Sequence, residues 1–425
     1  MKTKEILSAD RLRRAAHSAI PQTVFEIIYY LYLITLTVIT YLNTTMYTLV
    51  ISERMLDFIT ISVILLAFAK SAADRPWTLW EILAGVFMAG AIAWSWNREA
   101  RTFMLETAAL ILGARGMSFE KILKIYLLAL IPAFIFSIAE AMLGRIDNLI
   151  YTRPTGETRI AFGSVYPTDF CAHIVFLACS IAWLRERRLT YIEIAVIAGL
   201  AFFCYYFCDA RTSAICLVVL ALGLLYIKLR RRIAQRRGKE YRMNRILSGV
   251  LCFGMPIAAV FMILLSYVYD ESIPVFATIN RLLSGRLTYS HAAFSQYNIT
   301  LFGQYVYMRG LGGSLQHAGE YFFLDSSYIN MFFRFGILPL CGVIAIMVIG
   351  CRRQRKNLSW ERLGILTLIA LHCMIEHHLF ELAYDPFLLM LFAVSTTDRQ
   401  AARFFPARKR KRKKKGSHLP APAAE

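Results

Sequence analysis

Between Ile279 and Gly336 the sequence gathers four arginines, two histidines and Asp325 among glycines and aromatics, in "INRLLSGRLTYSHAAF" and "LFGQYVYMRGLGGSLQHAGEYFFLDSSYINMFFRFG". Arginine presents a planar fork that makes two parallel charge-assisted bonds to a phosphate. A carboxylate or imidazole beside an attacking hydroxyl can take its proton. Together these are the parts needed to stabilise a departing diphosphate and to activate an acceptor oxygen. Arg286 and Arg211 are the expected diphosphate ligands, with Arg159 and Arg309 as further candidates. Asp325 is the first candidate for the base. His317 is the second, because "GGSLQHAGE" is a glycine-rich loop able to close over an acceptor. Asp325 also has a plainer reading, since "DSSY" ahead of an apolar run is what a capped helix start looks like.

Arg211 stands in "FCDARTSAIC", where Asp209 and Arg211 lie between two apolar runs with almost no loop to lift them into water. A charge at membrane depth costs about 3 kcal/mol or more and marks a substrate path or a paired partner. The plainer alternative is an Asp209–Arg211 pair or a snorkelling side chain. In "HCMIEHH" the four-residue spacing of His372 and Glu376 would put both on one helix face, as in some metal sites. The set lacks a conventional ligand spacing, so Glu376 is read with Asp209 as a polar group of the cavity. No metal and no other cofactor is expected. His173, one turn inside its apolar run, is read as an interhelical contact.

These residues need a frame, and the composition supplies a membrane. The chain has 425 residues, 57% hydrophobic and 18% charged, with a mean hydropathy of +0.50. That is too apolar for a soluble protein of this length. Runs of about 20 apolar residues predict about twelve transmembrane helices, an all-α polytopic architecture. The organisation expected is a cytoplasmic segment over 1–23, nine spans over 24–268, one large extracytoplasmic loop over 269–326, three spans over 327–397 and a basic tail over 398–425. The spans whose limits matter below are 77–96, 102–116, 246–268, 327–350, 362–379 and 383–397.

The net charge of +20 does not point to nucleic acid, because the basic residues sit in short runs between apolar segments and at the two ends. Counted alternately, those runs fall on one side, which places both termini in the cytoplasm. Two of the runs, 228–245 and 408–415, are dense enough to hold anionic lipid headgroups. The nine cysteines lie almost entirely within apolar runs and read as small packed hydrophobes.

The order of "DARTS" at a helix corner, "LSGRL", "LFGQYVYMRGLGG", "DSSYINMFFRFGI" and the late "LHCMIEHHLFELAYDPFLLMLF" resembles the O-antigen ligase and polymerase superfamily. Within it, the chain looks most like the bacterial capsular and exopolysaccharide repeat-unit polymerases, from about residue 102 onward. The resemblance implies a C-type, inverting, metal-independent glycosyltransferase of the inner membrane. Its donor and acceptor would be undecaprenyl-diphosphate-linked oligosaccharides, and a flippase and a chain-length regulator would be its partners. In the ligase branch a histidine, a small polar residue and a more distant glycine mark the base. Here Asp325 stands at the histidine position, followed by Ser326 and Gly336, and that departure favours the polymerase branch. The competing readings are an exporter or flippase of lipid-linked sugars, and an O-antigen-type ligase. Transporters often carry two related halves, and no such repeat is visible.

Overall fold

The computed structural model describes residues 22–47, 53–73, 102–153, 156–310 and 321–394, with a few isolated positions between 79 and 86. Backbone in hydrocarbon has no water to bond and must satisfy itself internally, so the apolar runs close into helices. In chain order these begin with α1 (Gln22–Leu42), α2 (Glu53–Ala73), α3 (Thr102–Gly113) and α4 (Phe119–Met142). A small antiparallel hairpin follows, β1 (Ile150–Thr152) and β2 (Thr158–Ile160), with Tyr151 opposite Arg159. Next come α5 (Pro167–Arg185), α6 (Tyr191–Cys208), α7 (Arg211–Arg236), α8 (Arg245–Cys252) and α9 (Gly254–Tyr267). The chain then forms α10 (Pro274–Leu282), α11 (Arg286–Gln296), α12 (Ser327–Arg334), α13 (Ile337–Lys356) and α14 (Trp360–His372).

Among the described residues six helices are long and apolar enough to cross a membrane: α1, α4, α5, α6, α7 and α13. Counted as one span, α8 and α9, bent by 56° to each other, make a seventh. Large side chains such as Leu128, Ile192, Phe202 and Ile215 stand bare on the outward faces, as on a surface turned to lipid. The chain is a multi-pass membrane protein.

Helix ends follow local chemistry. A capping box opens α6: Glu193 N–H donates to Thr190 Oγ1 (3.2 Å), and Thr190 N–H donates to the Glu193 carboxylate (2.6 Å). The same helix closes on Asp209 in the left-handed region (φ 42°), and α7 begins at Arg211. Two residues therefore reverse the chain.

At the far ends of α5 and α7 three ion pairs, made by two buried arginines, tie the bundle together. Arg231 forks onto Glu361 at 2.8 and 2.7 Å, while Arg362 reaches Glu120 at 3.0 Å and Glu186 at 3.3 Å. Removing one partner of a buried pair strands the other charge and costs roughly 3–5 kcal/mol. Glu361→Gln should therefore lower the thermal unfolding midpoint in detergent by several degrees. An unchanged midpoint would show that this pair contributes no more than an exposed one.

Several predicted spans take other forms. The 102–116 run gives a helix of only 12 residues, and 77–96 lies largely outside the described residues. The 269–326 region carries two short helices, α10 and α11.

The 327–350 run is two helices, α12 and α13, parted at Gly336 (φ 90°). The gap is filled by residues 300–304, which pair with the freed backbone. Ile337 N–H donates to Thr300 O (3.1 Å), Leu338 N–H to Leu301 O (3.0 Å) and Gln304 N–H to Arg334 O (3.3 Å).

The 362–379 run yields only α14, of 13 residues, and 383–397 forms no α-helix where it is described. Beyond α14 the chain makes two 3-10 turns, His378–Phe380 and Phe387–Met390. Its apolar residues Leu379, Tyr384, Phe387 and Leu388 are buried against protein rather than turned to lipid. Protein groups also satisfy its backbone: Tyr126 donates to Ala383 O (3.0 Å) and Tyr384 O (2.9 Å), and Phe119 N–H donates to Val394 O (3.1 Å). Irregular backbone at this depth is tolerated only where protein covers it.

Candidate functional site

The turn between α10 and α11 sets Arg286. Ser284 and Gly285 both adopt positive φ (57° and 85°), and Gly285 N–H donates to Asn280 O (2.9 Å). Asn280 Oδ1 accepts from Leu287 N–H at 3.0 Å, and its amide nitrogen donates to Thr288 Oγ1 and to the Tyr269 hydroxyl, both at 2.9 Å. The "NRLLSGRL" stretch is thus a clamped helix–turn–helix with Arg286 on the first residue of α11.

Arg286 lies between two carboxylates. Its Nε is 3.3 Å from Asp325 Oδ2 and its Nη2 is 3.2 Å from Glu376 Oε1. All three side chains are largely shielded from solvent, with Glu376 only 2% exposed. The two carboxylates come from segments stitched together by Ser327. Ser327 N–H donates to Cys373 O (3.0 Å), its hydroxyl donates to Glu376 O (2.5 Å), and it accepts from Leu379 N–H (3.2 Å). Asp325 is not the cap of α12. Ser326 holds that position, and Asp325 is turned to Arg286. Burial pushes the Asp325 carboxyl up from its ordinary value, against the pull of Arg286 in the other direction.

A second group of charges borders this one. Arg159 on β2 donates from Nε to Cys208 O at 3.1 Å. Burial and the like charge of Arg153 push its guanidinium down, Asp209 and Glu376 oppose them, and Arg286 adds a further like charge. Arg159 and Arg286 are therefore close enough to act on one another and on Glu376. Asp169, in the first turn of α5, is buried and adds a third carboxyl to the same field as Asp325 and Glu376. Tyr321 lies in the field of Asp325 and Arg286, with its ring edge-on to Tyr289 at 5.2 Å.

The remaining predicted residues are placed less centrally. Arg211 Nε is 2.9 Å from Asp209 Oδ1, the plainer arrangement, and its side chain is 51% exposed. Glu157 is 4.0 Å from it, and Asp209 is shared with Arg153. Arg309 is exposed, its backbone paired with Phe322 (2.7 and 3.1 Å). His317 lies outside the described residues. The helix face imagined for His372 and Glu376 does not exist, because α14 ends at His372. His372 instead lies 3.4 Å from Ser213 Oγ. His173 is a buried contact, 3.0 Å from Thr44 Oγ1 and stacked on Tyr384. Asp169 escaped the sequence reading, although an acid in the first turn of an apolar span was a usable signal.

Chemically, the arrangement offers a largely shielded carboxyl of raised basicity held by a fixed guanidinium, a second, half-buried guanidinium alongside, and aromatic rings at the margin. Comparisons with known protein families, with curated protein sequences and with solved structures find no match.

Proposed function

We propose that the protein is a bacterial inner-membrane glycosyltransferase that joins undecaprenyl-diphosphate-linked oligosaccharide repeat units. The observation that carries this reading is Arg286 held between Asp325 and Glu376, within the field of Arg159, at one end of the bundle. The runs 185–188, 228–236 and 352–356 lie at helix ends opposite that group. By the positive-inside rule, the site then faces away from the cytoplasm and both termini lie within it.

In the proposed reaction an acceptor sugar hydroxyl attacks the anomeric carbon of the donor, and its proton passes to Asp325. The bond between that carbon and the diphosphate oxygen breaks, and the oxygen leaves with the electron pair. Attack opposite the leaving group inverts the centre. Arg286 orients Asp325, while Arg159 takes the departing charge, with Arg211 and Arg309 at the rim guiding the diphosphate in. A flippase supplying the donor and a chain-length regulator complete the reading.

The deciding experiment incubates the purified protein with a defined lipid-diphosphate oligosaccharide. Longer lipid-linked products support the proposal. Unchanged lengths with movement of the lipid across a vesicle would replace it with a transporter. Asp325→Asn should cut extension by at least about 100-fold, the scale of a lost general base, while donor binding persists. Full activity in that variant would remove Asp325 from the chemistry.

A further inference from the structure

We propose that His377, His378 and Glu381 form a binding site for a zinc-class divalent cation, separate from the charges that would handle a sugar diphosphate. Their donor atoms lie within 4.8 Å of one another. His377 Nε2 is 3.5 Å from Glu381 Oε1, and His378 Nδ1 is 3.7 Å from Glu381 Oε2. A tetrahedral ion bound at zinc–nitrogen distances sets neighbouring donors about 3.4 Å apart, so small side-chain movements close these three onto one centre. The 3-10 turn starting at His378 brings this about by carrying the chain from the paired histidines to Glu381 in a single turn.

The second observation is independent of that spacing. His378 is fully buried, and among the described residues neither of its ring nitrogens has a hydrogen-bond partner. A buried polar group left unpaired is costly, and a metal is one of the few ligands that accounts for it. Nε2 of this ring faces Asp169 Oδ1 at 3.8 Å. Metal-bound imidazoles characteristically direct their second nitrogen to a carboxylate, which fixes the tautomer and makes the ligand more basic. Here Nδ1 faces the proposed ion and Nε2–H faces Asp169.

The ring is also held in place. Tyr384 stacks on His378 at 3.7 Å, with His173 on the other face of the tyrosine at 3.9 Å. Glu381, 33% exposed, leaves the trio open to solvent on one side. Two imidazoles and one carboxylate favour zinc over magnesium or calcium, which prefer all-oxygen sets. His377 adjoins Glu376 in sequence, so the ion would brace the irregular segment that presents Glu376 to Arg286. This departs from the metal-free expectation, and it uses neither residue of the His372–Glu376 pair.

The test uses the full-length protein in detergent, purified through a tag that contains no histidine, loaded with zinc chloride and dialysed. Elemental analysis should find about one zinc per chain. Loading with cobalt instead should give visible d–d absorption of a tetrahedral site. His378→Ala and Glu381→Gln should each remove most of the retained metal and the cobalt bands. Asp169→Asn should keep the site but weaken affinity by about tenfold. Absence of retained zinc in the wild-type protein overturns the proposal, and so does full retention in Glu381→Gln. Should His378→Ala fail to accumulate, the partly exposed Glu381→Gln decides the question. Metal content is read without any sugar substrate, so the result does not depend on the proposed transferase activity.

Discussion

Arg286→Ala is expected to abolish glycan extension and to destabilise the protein at once. The guanidinium is the only cation in direct contact with both Asp325 and Glu376 among the described residues. Without it two buried carboxyls face each other across a gap. The uncompensated charge costs roughly 3–5 kcal/mol, or forces both groups to take up protons. A protonated Asp325 cannot accept a proton from a sugar hydroxyl, so the chemical step fails even where the fold survives. Arg286→Ala combined with Glu376→Gln separates the two effects. Stability should largely return as one carboxyl loses its charge, and activity should not. Arg286→Lys should hold part of the stability but lose most activity, because an ammonium on a flexible stem cannot span both partners as a planar fork does. The measurements are the length distribution of lipid-linked product and the unfolding midpoint. Near-normal polymer from Arg286→Ala would take this arginine out of the site.

Gly303→Ala is expected to prevent accumulation of folded protein altogether. A Cβ at this position would lie 2.1 Å from Arg334 O and 2.7 Å from the Phe335 Cα, both backbone atoms, and the residue has φ 88°. Because both contacts are to main-chain atoms, no side-chain rotation relieves them. Gly336→Ala meets the same block from the other side, 2.4 Å from Gly303 N and 2.6 Å from Leu301 O. Either change forces residues 300–304 out of the break between α12 and α13. The backbone groups paired there are then stranded, a loss above about 4 kcal/mol that few proteins absorb. The control is Gly199→Ala within α6, where nothing lies within 4 Å of the added methyl. There the better helix propensity of alanine should leave the protein as stable or slightly more so. Size-exclusion profiles of detergent extracts distinguish the outcomes, and equal yields of Gly303→Ala and Gly199→Ala would contradict the interlocked backbone.

The four successive helices α4 to α7 were legible because their apolar runs match span length and their ends carry local signals. Pro167 marks one start and the Thr190–Glu193 box another, while "CDARTS" marks the corner. The region after α14 was not legible. A run that is apolar all round looks the same whether lipid or protein will surround it, and only tertiary contacts such as Tyr126 to Ala383 and Tyr384 decide. Arg286, Asp325 and Glu376 each stood out as polar residues in apolar surroundings. Their meeting did not, because it depends on Ser327 bonding to Glu376, 49 residues away in the chain. Arg211 shows the opposite case: its nearest carboxylate partner, Asp209, lies two residues earlier, so the pair was visible in the sequence itself.

The irregular stretch after α14 also bears on biogenesis. A nascent chain passing into the bilayer one hydrophobic stretch at a time could not leave this one among lipid tails, where its exposed amides would find no acceptor. It can settle only once α4 and α5 have already assembled into a cradle for it. Since it leaves the ribosome after nearly every helix that receives it, the protein is closed by a late keystone. A nonsense mutation shortly after residue 372 would consequently deliver all the major spans to the membrane and still yield no finished molecule.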